Sequence, residues 1–376
     1  MSSIKMAIGL MSGTSMDGID AALLKSDGYD KVDILAHFSL SYEKSFQKSL
    51  KASLDDSRDI KNRLERPGNL KKIERELTEK HVTAVHGLLN RAGMKSQNVD
   101  FIGFHGQTLL HKPDQALTVQ IGDGQWLADK TGIDVVFDMR ANDMKHGGQG
   151  APLVPAYHQA LAKKLSSSIH NPIAFVNIGG IANTTWIDGE KIYAFDCGPG
   201  NALIDQWIRQ KTKKFFDKNG KIGIRGKLNK NIIEYYLKHD YFQDAVPRSL
   251  DWRSFQSLST DDVNVEDGAA TLSYITAYGI FHSFRHVSRL PKTLIVSGGG
   301  VHNLSIMKWL QWFAGKFQSK LFTAEDMGFH ADFMEAEAWA YLAIRSFYHL
   351  PLTYHTTTGT SHPVSGGVWV SPQNTR

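Results

Sequence analysis

A two-domain α/β protein is what the sequence predicts, and three observations carry that reading. The chain has 376 residues, more than one simple core organises, since domains usually hold roughly 100–200 residues. Short apolar strands alternate with helix-prone stretches along its length. One pattern, a glycine-centred turn between two strands, occurs at Ile8–Ala21 and again at Val176–Thr185. Two related halves, each presenting such a turn, would place a ligand in a cleft between them. The expected division is 1–138 and 139–376, with the C-terminal tail packing back.

The elements follow in order. Ile4–Leu10 and Ile19–Lys25 are strands around a loop of small donors, Met11 to Gly18. Residues 57–93 are polar and helix-prone, and Phe101–Phe104, Thr118–Ile121 and Val135–Phe137 are short strands. Ile173–Ile178 and Ala182–Ile187 flank the Gly179-Gly180 turn. Ile192–Phe195 then leads through Asp196-Cys-Gly-Pro-Gly-Asn201 into a helix from Ala202. Thr293–Val296 runs into Ser297-Gly-Gly-Gly300 and a helix over Leu304–Phe313, and Thr356–Gly367 is read as a loop on the hinge or nucleotide side.

Composition narrows the function. With 41% hydrophobic and 22% charged residues, the chain buries sizeable cores. The net charge of +5 is modest; lysines such as Lys71, Lys72, Lys213 and Lys214 read as ordinary helix-face positions, and no recognition motif argues for nucleic acid. Cys197 is the single cysteine, so no intrachain disulfide forms and a reducing compartment fits. The start lacks a signal-peptide pattern, and no apolar run reaches the ~20 residues of a membrane helix. A cytoplasmic protein with no membrane partner is expected. Sixteen histidines without His-Glu-x-x-His spacing argue against zinc.

The first loop has what a triphosphate needs. Gly13 and Gly18 let backbone N–H groups approach phosphate oxygens, and Thr14 and Ser15 add hydroxyls. Asp17 offers oxygen to Mg2+, a hard cation. An ordinary hairpin turn capped by Thr14 and Asp17 is the plain alternative. The loop is no Walker motif, because no lysine sits in it. Asn177 to Asn183, with Gly179 and Gly180, is a second candidate phosphate loop. Ser297, Gly298, Gly299 and Gly300 form a third glycine turn, where bare backbone admits an adenine or ribose. Taken singly each is as readily a tight connection; three after apolar strands are a pattern.

These elements resemble the two phosphate loops and the adenosine motif of actin, the hexokinases and the chaperone ATPases. More narrowly, the chain resembles the anhydro-N-acetylmuramic acid kinases from end to end. The residues that carry this are Ile8 to Asp20, Gly103-Phe-His-Gly-Gln-Thr108, Gln120-Ile-Gly-Asp123, Gly147 to Pro155, Asn177 to Asn183 and Asp196 to Asn201. The resemblance implies two actin-like (ribonuclease H-like) domains with a deep interdomain cleft. It also implies ATP and Mg2+, an anhydro-sugar substrate in peptidoglycan recycling, and a homodimer. In that chemistry, water opens the internal glycosidic bond and the freed O6 takes the γ-phosphoryl group.

The resemblance further implies site roles. Met16, Ile19 and Asp20 join the first loop in holding nucleotide, and Asp17 and Asp196 are the possible Mg2+ ligands. Asp196 is the base for the water; without the family it reads as a helix N-cap. Glu335 is a second active-site carboxylate, or a first-turn acid complementing the helix dipole. Arg140, Asp143, Gln149 and His105 contact the sugar, with His146 nearby; a polar surface loop is the alternative for the 138–153 stretch, and a structural histidine for His105. Met139 departs from the family, where an aromatic often precedes the arginine. Cys197 is a small buried residue where the family often has Thr. Two rival functions stand beside the kinase: a nucleotide-gated sugar-binding module of the same fold, and a hydrolase pairing Asp196 with Glu335.

Overall fold

The computed structural model describes residues 3–165, 169–243, 255–258 and 262–373. It begins with β1 (Lys5–Met11), β2 (Gly18–Ser26), β3 (Val32–Ser41), α1 (Lys44–Asp56) and α2 (Leu70–Ala92). Next come β4 (Phe101–Phe104), the hairpin β5 (Gln107–Lys112) and β6 (Leu117–Ile121), α3 (Gly124–Thr131), β7 (Asp134–Phe137), α4 (Arg140–Lys145) and α5 (Pro155–Leu165). The middle holds β8 (Ile173–Ile178), β9 (Ile181–Asp188), β10 (Lys191–Pro199), α6 (Ala202–Lys211), α7 (Lys230–Leu237) and α8 (Val265–Ser283). After β11 (Thr293–Ser297), α9 (Leu304–Lys316) and β12 (Lys320–Thr323), the chain closes with α10 (Met334–Phe347), α11 (His355–Thr358) and β13 (Val368–Val370).

Two compact units form: Met1–Lys164 with Asp332–Arg376, and Leu165–Ala331. Their sheets repeat one topology. In the first unit the order is β13-β7-β4-β1-β2-β3, and in the second β10-β9-β8-β11-β12. Each starts as an antiparallel meander of three strands. Two further strands then lie parallel to the first, on its other side. This 3-2-1-4-5 order is that of the actin-like fold, so the α/β class and the internal duplication expected from the sequence are both present.

The first unit extends beyond residue 138 and takes in the C-terminal segment, because α10 packs on its sheet and β13 pairs with β7. The 139–164 stretch lies with the same unit. Local chemistry also trims the 57–93 helix: only Leu70–Ala92 is helical, starting after the Pro67-Gly68 break. The Thr356–Gly367 stretch begins inside α11 rather than as loop.

One contact sets the geometry of the first unit. Helix α10 crosses β1 and β4 so closely that a Cβ at Gly9 would stand 1.8 Å from the Ala336 carbonyl oxygen. At Gly103 it would stand 2.0 Å from that of Trp339. Glycine is required here by helix-to-strand distance, not by an unusual φ. Ala336, Ala340 and Ala343 add small side chains to the same buried face. Gly9→Ala and Gly103→Ala should therefore each cost about 1–3 kcal/mol, read as a lowered melting temperature. Gly315, on α9 with nothing within 4 Å of its would-be Cβ, is the control: Gly315→Ala should leave stability unchanged or raise it by up to about 1 kcal/mol.

Candidate active site

Open α/β sheets bind ligands beyond the carboxyl ends of their parallel strands. In the first unit those ends belong to β1, β4 and β7. They carry the Ser12–Asp17 loop, His105 and the Asp138–Arg140 turn.

The loop is tied at its base. Ser12, fully buried, donates from Oγ to Gln107 Oε1 at 2.7 Å and meets the Tyr42 hydroxyl at 2.9 Å. Gln107 Nε2 donates to the Gly13 carbonyl at 3.1 Å. Thr14, Ser15 and Asp17 stay exposed above this base. Met16 and Ile19 are buried members of the hydrophobic core, so their side chains serve packing. Gly18 lies under the β3 backbone, 2.6 Å from a would-be Cβ to Leu40 O. Ser15 Oγ donates to Asp17 at 2.6 Å, and Ser39 Oγ to Asp20 at 2.6 Å. Burial raises the Asp20 carboxyl, and the nearby Asp17 and Asp332 charges raise it further against the Ser39 bond. Mutually repelling oxygen donors beside a glycine loop suit a hard divalent cation shared with phosphate. Among the described residues no group of three or more His, Cys, Asp or Glu side chains is arranged to hold a metal by itself.

Arg140 is the centre of a buried polar cluster. Its Nη1 donates to the Gly150 carbonyl at 2.8 Å and its Nη2 to His105 Nε2 at 3.2 Å. A guanidinium only donates, so His105 accepts at Nε2 and carries its proton on Nδ1. Thr108 Oγ1 also meets that nitrogen, at 3.3 Å, and Gln120 Nε2 reaches Thr108 and Thr118 at 3.2 and 2.7 Å. The Trp339 ring lies 5.5 Å from the guanidinium carbon and 4.8 Å from the His105 ring. Three polar atoms here, Arg140 Nε, His105 Nδ1 and Gln120 Oε1, are buried without a protein partner. Burial pulls the guanidinium down to about 10, opposed by the Glu335 and Asp143 charges. His105 is driven well below 6.5, first by burial and then by Arg140.

Glu335 sits in the first turn of α10, exposed on a helix whose other residues from Met334 to Arg345 are buried. Crowding by protein raises its carboxyl, Arg140 lowers it and Asp20 raises it again. Glu337, two residues on, is fully buried and bridges two elements: Oε1 to His37 Nε2 and Oε2 from the Tyr157 hydroxyl, each 2.7 Å. Neither Glu337 nor its partners was singled out from the sequence. An acid within an otherwise apolar helical run was the available signal.

Asp143 is tied into the protein around it. It is 1% exposed, and its carboxylate accepts from Gly150 N (2.7 Å), Thr353 Oγ1 (2.5 Å) and Thr358 Oγ1 (2.7 Å). It thereby binds the 147–150 turn to the α11 segment and leaves Arg140 in place. Gln149 is half-buried, its backbone N–H donating to Thr358 O at 2.8 Å. His146 Nδ1 meets the Asn142 carbonyl at 2.8 Å. Met139 fills the core, 2% exposed.

The second unit repeats the arrangement. Its parallel strands β8 and β11 end at Asn177–Gly180 and Ser297–Gly300, with Ser297 in register beside Asn177. Gly298 has φ 79°, and a Cβ there would stand 2.2 Å from Asn177 Oδ1. Gly299 faces open space. The β8–β9 turn is locked from below: Gly200 N donates to Gly180 O at 2.9 Å and Asn201 N to Gly179 O at 2.8 Å. Asn201 Nδ2 adds bonds to the Ile178 and Gly179 carbonyls at 3.3 and 3.2 Å.

Asp196 lies within β10, opposite Asn183 and at a bulge before Gly198. The strand runs on to Pro199 instead of ending at Phe195, and the N-cap of α6 is Asn201. Asn201, not Asp196, is therefore the N-cap residue of α6. Its side chain is half-buried, and the Tyr241 hydroxyl donates to its backbone carbonyl. Cys197 is buried, as expected, its thiol pushed up by burial and receiving the Ser283 hydroxyl at 3.4 Å.

Two units of one topology, each with a glycine loop at its parallel strand ends, define an actin-like fold. Within that class the chain belongs to the anhydro-N-acetylmuramic acid kinase family, whose sequence pattern matches residues 5–372. It is 50% identical to the anhydro-N-acetylmuramic acid kinase of Brucella canis over 374 residues, 99% of this chain and all of that one. It is 49% identical to those of Rhizobium etli (99% of this chain) and Agrobacterium fabrum (98%), again across the whole of each.

The buried histidines predict an acid response. His81 and His158 are pulled by burial from 6.5 to about 4 and about 3. The unfolded chain takes up their protons below about 6.5 while the folded chain does not, so stability falls as pH drops through that window. Urea denaturation at pH 7.5 and 5 should show roughly 2 kcal/mol lost per histidine. Equal stabilities at the two values would contradict the neutral buried assignment.

Proposed function

We propose that this kinase opens the 1,6-anhydro ring of anhydro-N-acetylmuramic acid with water and phosphorylates O6 from ATP, giving N-acetylmuramic acid 6-phosphate. Family membership over the whole chain, joined to glycine loops at the strand ends of both units, is the observation that carries this reading. Asp196 accepts a proton as water attacks C1; the C1–O6 bond breaks, O6 bonds to the γ-phosphorus, and ADP leaves. One proton per turnover passes from Asp196 to solvent. Positioned bases of this kind contribute roughly 10²–10⁴-fold.

The other residues divide the remaining work. Gly13, Thr14, Ser15 and Gly18 present donors to the terminal phosphates, and Asn177, Gly179 and Gly180 do so from the second unit. Asp17, with Asp20 beside it, would hold Mg2+, which supplies positive charge to the phosphate oxygens when bound. Ser297 to Gly300 offer uncluttered backbone to the nucleoside. Arg140, oriented by His105, Trp339 and Gly150, takes a carboxylate or hydroxyls of the sugar, and its unpartnered Nε is the donor left for that purpose. Glu335 serves the same sugar as a hydrogen-bond acceptor. On this reading the enzyme acts in the cytoplasm as a homodimer, in peptidoglycan recycling. A sugar hydrolase leaves both glycine loops without purpose, and a binding module leaves Asp196 without one.

Asp196→Asn keeps shape and removes the basic oxygen. Turnover of the anhydro sugar should fall by two to four orders of magnitude, about 10²–10⁴-fold, with melting temperature and ATP affinity nearly unchanged. A near-normal rate in this variant would move the base elsewhere. Thr14→Val and Asp17→Ala should weaken Mg-ATP binding, measured by calorimetry, in chains that remain folded. Unchanged affinity in both would displace the phosphate site from the first loop.

A further inference from the structure

The basic surplus of this chain is gathered in one place. Residues 209–230 carry nine lysines and arginines against one aspartate, a surplus of eight where the whole chain's is five. The remainder of the protein is therefore slightly acidic. Lys213 and Lys214 are not helix-face residues, as the sequence suggested: they lie past the end of α6, in the loop that follows it. The one acid, Asp217, is buried and spent inside the loop, accepting from Ile222 N at 2.9 Å and Gly223 N at 2.8 Å.

Two of these cations are paired with acids of the same unit. Arg225 meets Glu266 at 3.2 Å and Arg209 meets Asp205 at 3.9 Å. Lys213, Lys214, Lys218 and Lys221 are exposed, and none makes an ion pair among the described residues. Between the two pairs of lysines stand two consecutive phenyl rings, Phe215 at 79% and Phe216 at 54% exposure. Phe215 is the most exposed large hydrophobic residue among those described. The loop is nevertheless fixed: Arg209 Nε holds the Phe215 carbonyl at 3.0 Å, and Lys214 N donates to Thr212 Oγ1 at 3.0 Å.

We propose that the Lys213–Lys221 loop docks the protein on an anionic lipid bilayer. Neighbouring lysines supply attraction to phosphate headgroups, and the paired phenyl rings supply apolar area for the acyl boundary. Stable peripheral binding takes two such signals, because one alone gives marginal attachment. A purely phosphate-bearing partner makes use of the lysines but gives two adjacent, outward phenyl rings nothing to enter. Docking of this kind is peripheral: no helix among the described residues is long and apolar enough to cross a membrane. It departs from the expectation of no membrane partner and is independent of the catalytic reading.

Vesicle flotation of the full chain tests this, with mixed phosphatidylglycerol–phosphatidylcholine vesicles against pure phosphatidylcholine. Binding should occur only to the anionic vesicles and weaken as salt rises. Lys213→Ala/Lys214→Ala should weaken it roughly 30-fold, about fivefold per lysine. Phe215→Ser/Phe216→Ser should weaken it by at least about tenfold. Both variants should keep wild-type melting temperature and sugar-dependent ADP release. No binding to anionic vesicles overturns the proposal, as does binding that both variants retain. Binding of single-stranded DNA with the same phenylalanine dependence, in the absence of vesicle binding, reassigns the surface to nucleic acid and also overturns it.

Discussion

The contact between α10 and the backbone of β1 and β4 is the constraint on which the first unit's site depends. At Gly9 and Gly103 there is no room for even a methyl group between helix and sheet. That distance brings the first turn of α10 to the carboxyl ends of the parallel strands, where ligands bind. Glu335 then emerges beside the charge of Arg140, and Trp339 lies against both Arg140 and His105. A larger residue at either glycine would lift the helix and move all of these groups together.

Holding a helix terminus so rigidly has an electrostatic cost. Glu337 is withdrawn from water, which is tolerable only because His37 and Tyr157 satisfy its two oxygens. Asp143 does the equivalent for the 147–150 turn with three donors. Both carboxylates are structural supports around a site whose own polar atoms, Arg140 Nε, His105 Nδ1 and Gln120 Oε1, are left without protein partners. Supporting carboxylates that are fully paired, beside site atoms that are not, are the signature of a cavity shaped for a polar ligand. The second unit reaches a similar end by different means, its β8–β9 glycine turn locked by the Gly200-Asn201 backbone and the Asn201 amide.

Much of this was legible in the sequence. Phe101–Phe104 and Ile173–Ile178 are strands with the boundaries read from their apolar runs, and the glycine turns fall where expected. β3, half-buried with mixed polarity, and β13, three residues at a sheet edge, gave no comparable run. The return of the C-terminal segment to the first unit is a long-range pairing that no local pattern encodes. Side-chain duties were the hardest to read. Asp143 and Arg140 lie in one polar stretch, and only the fold shows that Asp143 ties the 147–150 turn to the α11 segment while Arg140 bonds His105 and the Gly150 carbonyl. Lys213 and Lys214 looked like helix residues because nothing nearby in the sequence ends α6 with a glycine or proline.

The chemistry assigns water to C1 of the sugar and the sugar's own O6 to phosphorus. The most direct test is turnover of the anhydro sugar and ATP in ¹⁸O-enriched water, with rapid quenching and mass analysis of the product. The account predicts one ¹⁸O on the C1 hydroxyl, none in the phosphoryl group, and one ADP for each sugar phosphate. Label in the phosphoryl group, or opened sugar without ADP, would contradict it.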